Sequence, residues 1–93
     1  MDDLKICRDK IDEIDAQLVA LFEERMELAL KIADYKKTNN IPILNEGREK
    51  EVIEKNANRL KNKNFKESLV KFFEHMMNLS KEEQEKKFKK LLR

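Results

Sequence analysis

A few charged and polar side chains occupy positions where the packing of helices requires apolar ones. Arg25 is the only charge in a run of apolar residues spaced three and four apart, and burying an unpaired guanidinium there is costly. Lys36 follows eleven residues later, which brings it to within about 20° of Arg25 around a helix. Ser80 and Gln84 stand at i and i+4 in another apolar pattern near the end of the chain. Together they predict an anion-binding pocket inside a helical bundle.

Another group of polar side chains opens the segment between those two patterns. Asn45, Arg48 and Glu49 share one helical face with Val52, and they would add an amide, a cation and a carboxylate to the pocket. No second His, Cys pair or HExxH motif accompanies His75, so the sequence predicts no metal site. No Ser/His/Asp or Cys/His set can be assembled either, which disfavours nucleophilic catalysis.

Each of these residues also has a purely structural interpretation. Arg25 could set the helix register by pairing with a buried Glu, and Lys36 could cap the C-terminus of its helix. Ser80 begins a Ser-Lys-Glu-Glu run, a capping box that would start a new helix there and leave Gln84 on the surface. The Arg48-Glu49 pair could face solvent.

The first third of the chain is predicted to be one long helix, from about Asp3 to Thr38. Its apolar residues alternate in steps of three and four, as in a coiled-coil seam, and no Gly or Pro interrupts it. Apart from Arg25, the seam consists of Leu4, Cys7, Ile11, Ile14, Leu18, Leu21, Leu28, Ile32 and Tyr35. Such a helix is about 55 Å long, too long for a compact chain of this size, so it needs a partner. Cys7 is expected to be a buried structural thiol.

Two further helices are predicted after an extended connection at 41–44, where a proline keeps its neighbour out of the helical conformation. Asn45 is expected to be the N-cap of a short helix that ends at the polar stretch 61–64. The last helix should run from about Lys66 to the C-terminus. The predicted fold class is therefore all-α, with three helices (long, short, long) in a single domain over residues 1–93.

The composition argues against several classes of protein. With 43% charged residues, one Gly, one Pro and no Trp, it is typical of a helical protein. A net charge of +2 gives no electrostatic reason to expect nucleic acid. No apolar run approaches a membrane span, no signal-peptide pattern is present, and a single Cys fits a reducing compartment. We therefore expect a cytoplasmic protein.

Taken in order, these residues resemble the all-helical class of chorismate mutases. Each motif alone is weak, but the collinear set is specific and spans essentially the whole chain. The matching elements are Arg8, the Leu-x-x-Leu-Phe-Glu-Glu-Arg run that ends at Arg25, Lys36, the Ile41-Pro42-Ile43 connection, the Arg48-Glu49 pair, and Ser80 with Gln84.

The resemblance implies an intertwined homodimer of three-helix protomers, with two active sites that are each built from both chains. The geometry of the first helix agrees with this. Arg8 lies seventeen residues from Arg25, about 25 Å along the same helix, so both cannot reach one small ligand within one chain. In an antiparallel pair of long helices crossing near residues 18–20, Arg8 of one chain would arrive between Arg25 and Lys36 of the other.

The resemblance also implies the rearrangement of chorismate to prephenate, a step of aromatic amino acid biosynthesis, without metal or cofactor. Arg25 and the other chain's Arg8 would bind the two carboxylates, and Ser80 would assist one of them. Lys36 and Gln84 would hydrogen-bond the ether oxygen. By resemblance, the catalytic residues are Arg8, Arg25, Lys36 and Gln84.

The remaining substrate-binding residues would contact the other parts of the substrate. By resemblance, Glu49 would accept a hydrogen bond from the ring hydroxyl, Arg48 would orient that end, and Ile32 would contact the apolar face. Asn45, counted with them, stands where many relatives carry an acidic residue three positions before the Arg-Glu pair.

Two alternatives stay open. An isochorismate-pyruvate lyase has the same architecture and a similar cationic pocket, although the Arg48-Glu49 pair favours the mutase. A catalytically inactive helical dimerisation or regulatory module would tolerate replacement of Arg25, Lys36 and Gln84, and leucine at Arg25 would stabilise it.

Overall fold

The computed structural model describes residues 2–91, with side chains to residue 89, as three α-helices. They are α1 (Asp3–Thr38), α2 (Glu46–Asn58) and α3 (Lys66–Leu91), and a 3-10 turn (Lys63–Phe65) precedes α3. The predicted long, short, long order is confirmed, and residues 2–91 contain no strand. The predicted extension of the last helix over residues 92–93 lies outside the described residues.

Both ends of α1 are fixed by local hydrogen bonds. Asp2 is the N-cap, and its Oδ1 accepts from the backbone N–H of Lys5 at 3.2 Å. At the other end Asn40 has a left-handed φ of 56°, and the N–H of Ile41 donates to the carbonyl of Lys36 at 2.8 Å. This is a Schellman-type ending, which satisfies carbonyls that the helix leaves open.

The short helix α2 ends earlier than the polar stretch 61–64 suggested. Its last helical residue is Asn58, and the Nζ of Lys63 donates to the carbonyls of Ala57 and Asn58 at 3.2 Å each. A lysine that returns to the last carbonyls stabilises a helix C-terminus. The polar stretch therefore caps α2 from outside the helix.

The packed core lies between the C-terminal part of α1, α2 and α3. Its buried apolar residues are mostly small, and two polar side chains are buried among them: Ala29, Ala33, Val52, Ala57, Met77, Ser80 and Gln84. The hydrogen-bonded pairs Arg25–Ser80 and Ala29–Gln84 advance together along both helices, so α1 and α3 run parallel. The chain reaches that arrangement by returning through α2.

The first part of α1, residues 3–24, is exposed along its whole length. Leu18 on the predicted seam is 48% exposed and Ile11 is 53% exposed. The prediction of a buried Cys7 is wrong for a single chain, because Cys7 is exposed. The molecule is accordingly elongated, with dimensions of 58 × 27 × 14 Å.

Candidate active site

A cavity of about 310 Å³ lies where α1, α2 and α3 meet. We call it the central cavity. Apolar side chains from all three helices form part of its wall, among them Leu28, Val52 and Met77. Eight of the nine predicted site residues line it: Arg25, Ile32, Lys36, Asn45, Arg48, Glu49, Ser80 and Gln84.

Arg25 reaches the central cavity from α1 and contacts α3. Its Nη1 donates to Ser80 Oγ at 3.2 Å, and Ser80 Oγ donates to the Met76 carbonyl at 3.0 Å. Burial and, to a smaller extent, the positive charge of Arg48 lower the pKa of Arg25 below its ordinary value. A guanidinium nevertheless stays charged in proteins, so Arg25 presents a cation to the cavity.

The structure bears on two of the structural interpretations of these residues. Within residues 2–91 of the single chain, no carboxylate forms an ion pair with Arg25, so this chain gives Arg25 no Glu of its own with which to set register. The helix α3 continues from Lys66 through Ser80 to Leu91. Ser80 is therefore inside a helix and does not cap one, because its hydroxyl bonds back to the carbonyl four residues earlier.

Lys36 and Gln84 are each held by one hydrogen bond to a backbone carbonyl. Lys36 lies in the last turn of α1, where its charge suits the helix C-terminus, but its Nζ donates to the carbonyl of Ile43, in the connection before α2, at 2.7 Å. Gln84 Nε2 donates to the carbonyl of Ala29 at 2.8 Å, and the residue is only 7% exposed. An ammonium has three N–H groups and an amide has two. Both side chains therefore keep donors for a ligand.

The start of α2 supplies the residues at the other end of the cavity. Asn45 is the N-cap as predicted, since its Oδ1 accepts from the N–H of Arg48 at 3.0 Å. The guanidinium of Arg48 pairs with Glu51 at 2.6 Å, and both side chains are more than half exposed. Glu49 is not a solvent-facing charge: its side chain is 27% exposed and its Oε2 lies 2.9 Å from Lys81 Nζ.

Sequence reasoning missed Lys81 as a residue of this site. It lines the central cavity with Ser80 and Gln84. The signal was present, because Lys81 stands four residues after Met77 and three before Gln84, on the same face of α3. The carbonyl of Ile43 was also missed, since a backbone group leaves no trace in the residue types.

Arg8 is the one predicted site residue that the single chain does not bring to the cavity. It lies in the exposed part of α1, about 25 Å along the helix from Arg25. The three helices therefore assemble the predicted site apart from this residue.

The charges of the central cavity favour an anion. Four cationic side chains line it (Arg25, Lys36, Arg48 and Lys81), against the single carboxylate of Glu49. Residues 2–91 contain no group of three His, Cys, Asp or Glu side chains placed to hold a metal ion. Among the same residues, no helix has both the length and the apolarity to cross a membrane.

Comparison with known proteins identifies relatives of the chain. A family model described as chorismate mutase type II matches residues 7–85. The bifunctional chorismate mutase/prephenate dehydratase of Aquifex aeolicus (strain VF5) is 42% identical over 55 residues, which make up 59% of this chain. The matched segment is 15% of that relative, so the chain spans only a small part of the relative's length.

Proposed function

This chain belongs to the chorismate mutase type II family, and on that premise we propose that it catalyses the rearrangement of chorismate to prephenate. In this reaction one bond breaks while another forms within a single dianionic molecule. The observation that carries the proposal is the convergence of Arg25, Lys36 and Gln84 on one part-apolar cavity. The proposed place of the step is aromatic amino acid biosynthesis, as the family resemblance implies, and the single Cys fits the cytoplasm as its location.

The proposed mechanism begins with the carboxylates of the substrate. Arg25 is supported by Ser80 at 3.2 Å, and no protein carboxylate within residues 2–91 neutralises it, so its charge is available to a ligand. A guanidinium binds a carboxylate with two parallel hydrogen bonds. Arg25 would bind one carboxylate, and Arg8 of a second chain would bind the other. Holding both carboxylates restrains the substrate in the compact conformer that reacts, which lowers the entropic part of the barrier.

Lys36 and Gln84 are proposed to act on the ether oxygen. Electron density builds up on this oxygen as its bond breaks, and fixed N–H donors stabilise that charge without having to reorient. The bonds to the carbonyls of Ile43 and Ala29 hold the two donor groups in place. They come from two different helices, so the packing of α1 on α3 sets their separation.

The proposed contacts at the ring complete the site. Glu49 would accept a hydrogen bond from the ring hydroxyl, and Arg48 and Asn45, at the same end of α2, would orient it. Ile32 is 50% exposed and lines the cavity near Lys36, where it would contact the apolar face of the ring. No group in this scheme accepts or donates a proton.

The working unit is proposed to be an intertwined homodimer, because one chain leaves a complementary pair of surfaces uncovered. A groove of about 420 Å³, beside the central cavity, is lined by four cations and no carboxylate. It also carries aromatic side chains, among them Phe22, Phe72 and Phe73. Residues 1–24 hold eight acidic and three basic residues around an exposed apolar seam. The seam of a second copy therefore fits the groove in both charge and polarity, and it would carry Arg8 toward the site.

The test of the activity is direct. Purified protein is mixed with chorismate, the loss of ultraviolet absorbance is followed, and the product is identified after acid treatment. We expect saturable conversion to prephenate, and Lys36→Ala should lower turnover by about a thousandfold with the fold unchanged. Lys31→Ala is the matched control, since it removes a lysine from the exposed face of the same helix and should leave turnover unchanged.

Two other results would contradict the proposal. Release of pyruvate from isochorismate, without turnover of chorismate, would assign the chain as a lyase. A well-folded protein that is inert toward both substrates would favour the dimerisation or regulatory module.

The shared site has its own test, in which two inactive variants are mixed. Arg8→Ala and Lys36→Ala should each lower turnover by about a thousandfold. In a mixed dimer, one of the two sites receives the intact Arg8 of one chain and the intact Lys36 of the other. Because random pairing makes about half of the dimers mixed, unfolding and refolding equal amounts of the variants together should restore about one quarter of the wild-type rate. No recovery in a confirmed mixed dimer would show that Arg8 acts within its own chain or not at all.

A further inference from the structure

Lys81 and Glu49 form an ion pair on the wall of the central cavity. Their charged atoms are 2.9 Å apart, and their side chains are 25% and 27% exposed. Of the ion pairs within residues 2–91, only this one and Lys87–Asp34 join different helices, and Lys81–Glu49 is the less exposed of the two. The pair therefore links α3 to the first turns of α2 at the site itself.

The ion pair with Lys81 uses one oxygen of the Glu49 carboxylate. Lys81 Nζ lies against Oε2, and within residues 2–91 no protein group donates a hydrogen bond to Oε1. An ionised carboxylate accepts hydrogen bonds at both oxygens. Glu49 thus keeps one acceptor oxygen while the other anchors it to α3.

The negative charge of Glu49 is unfavourable in a cavity that binds a dianion, and the positive charge of Lys81 offsets it. It is the one carboxylate in the lining of a cavity that is otherwise cationic, and the proposed substrate carries two negative charges. An unpaired carboxylate would repel that dianion, and it could rotate toward Arg48 at the cavity edge. A cation held against Oε2 reduces the repulsion and limits the rotation.

We propose that Lys81 is a positioning residue, which fixes Glu49 so that its Oε1 accepts the hydrogen bond from the ring hydroxyl of the substrate. This inference rests on the proposed function. Lys81 would act through Glu49, without contact with the reacting bonds, and would help the site to select substrates by the position of that hydroxyl. A merely structural Lys81 would hold α2 to α3 and affect stability alone.

The experiment compares Lys81→Met, which keeps an unbranched apolar stem without the charge, with Lys81→Arg, which keeps the charge. We expect Lys81→Met to lower kcat/KM for chorismate about tenfold, and Lys81→Arg to stay within about threefold of wild type. In a Glu49→Gln background, Lys81→Met should change kcat/KM by less than about twofold, because the group it positions is already altered.

Lys87→Met is the matched control, because Lys87 forms the other pair between helices, with Asp34 at 2.8 Å, and does not line the cavity. It should lower the melting temperature about as much as Lys81→Met does while leaving kcat/KM within about twofold of wild type.

The outcomes separate this inference from the proposed function. Suppose that the wild type turns over chorismate. If Lys81→Met then leaves kcat/KM unchanged, or lowers it equally in the wild-type and Glu49→Gln backgrounds, the role of Lys81 is overturned and the proposed function is not. Equal kinetic losses in Lys81→Met and Lys87→Met overturn it too, because the effect would then be one of stability. Absence of chorismate turnover in the wild type overturns the proposed function and this inference with it.

Discussion

The two parts of α1 differ in what covers them, although they form one unbroken helix. Residues 25–38 pack on α3 through small side chains, and Ala33 is fully buried while Ala29 is 7% exposed. Residues 3–24 carry larger apolar side chains, such as Ile14 and Leu18, and these are about half exposed. Small residues thus mark the buried face of 25–38 that contacts its own chain, whereas 3–24 has no buried face and leaves its large apolar side chains bare.

This difference separates two physical roles within one element. Small residues let two helices approach closely, so that side chains such as Gln84 can reach the backbone of α1. An exposed row of large apolar residues is unfavourable in water and marks an interaction surface. We therefore expect the two parts to respond differently to substitution: 25–38 through protomer stability and site geometry, 3–24 through assembly.

The largest effect should come from a charge in the exposed part. Leu18→Glu would place a carboxylate in the proposed dimer seam, twice because of the two-fold symmetry, and should abolish both dimer and turnover. Sedimentation velocity and the chorismate assay measure the two losses. Gln17→Glu adds the same charge one position away, outside the seam, and should have little effect. A Leu18→Glu protein that remains a dimer would place the interface elsewhere.

The next prediction tests whether residues 25–38 carry a charge that serves a ligand and lowers the stability of the protein. Arg25→Leu removes a cation whose pKa is lowered by burial and by Arg48, and Ser80 keeps its bond to the Met76 carbonyl. We expect a melting temperature a few degrees higher and a loss of turnover of about a thousandfold or more. A stabilised variant that turns over chorismate at the wild-type rate would show that Arg25 takes no part in the reaction.

A smaller effect should follow from overpacking the close approach of α1 and α3. Ala33→Leu adds three carbons at a site with no exposed surface and should cost about 1–3 kcal/mol of unfolding free energy. Lys31→Leu introduces the same side chain two positions away on the exposed face and should change stability by less than about 0.5 kcal/mol. Equal effects in chemical denaturation would mean that Ala33 is not at a close helix contact.

The smallest effect concerns the start of α2, beside the site. Gly47 is helical with a negative φ, and an added Cβ would meet Asn45 Oδ1 at 3.5 Å, an ordinary contact. Gly47→Ala should therefore stabilise the protomer by about 0.5–1 kcal/mol through reduced freedom of the unfolded chain. Denaturant unfolding measures the gain, and the dimer dissociation constant should not change. Destabilisation would show that the first turn of α2 needs the glycine.

Much of the fold could be predicted from local sequence patterns, namely apolar spacing and helix capping. The apolar spacing and the absence of Gly and Pro predicted α1 over Asp3–Thr38, as observed. Asn45 is predicted as an N-cap because asparagine favours that position, and the structure confirms it, since its Oδ1 accepts from the backbone N–H three residues later. Capping and periodicity involve neighbours in sequence, so they can be predicted without a tertiary structure. The stretch 61–64 was also predicted to end α2, but only the structure shows which of its side chains caps the helix, since Lys63 Nζ donates to the Ala57 carbonyl.

The sequence by itself determined which polar residues share helical faces, since angular position around a helix depends only on spacing. That is why Arg25, Lys36, Ser80 and Gln84 could be selected before any contact was known. Only the tertiary structure decided which groups meet: Lys81 with Glu49 and Gln84 with Ala29 across helices, and Lys36 with the Ile43 carbonyl in the connection before α2. Such pairings depend on how closely and in what direction helices pack. Those quantities are set by contacts between residues far apart in sequence, which no local pattern contains.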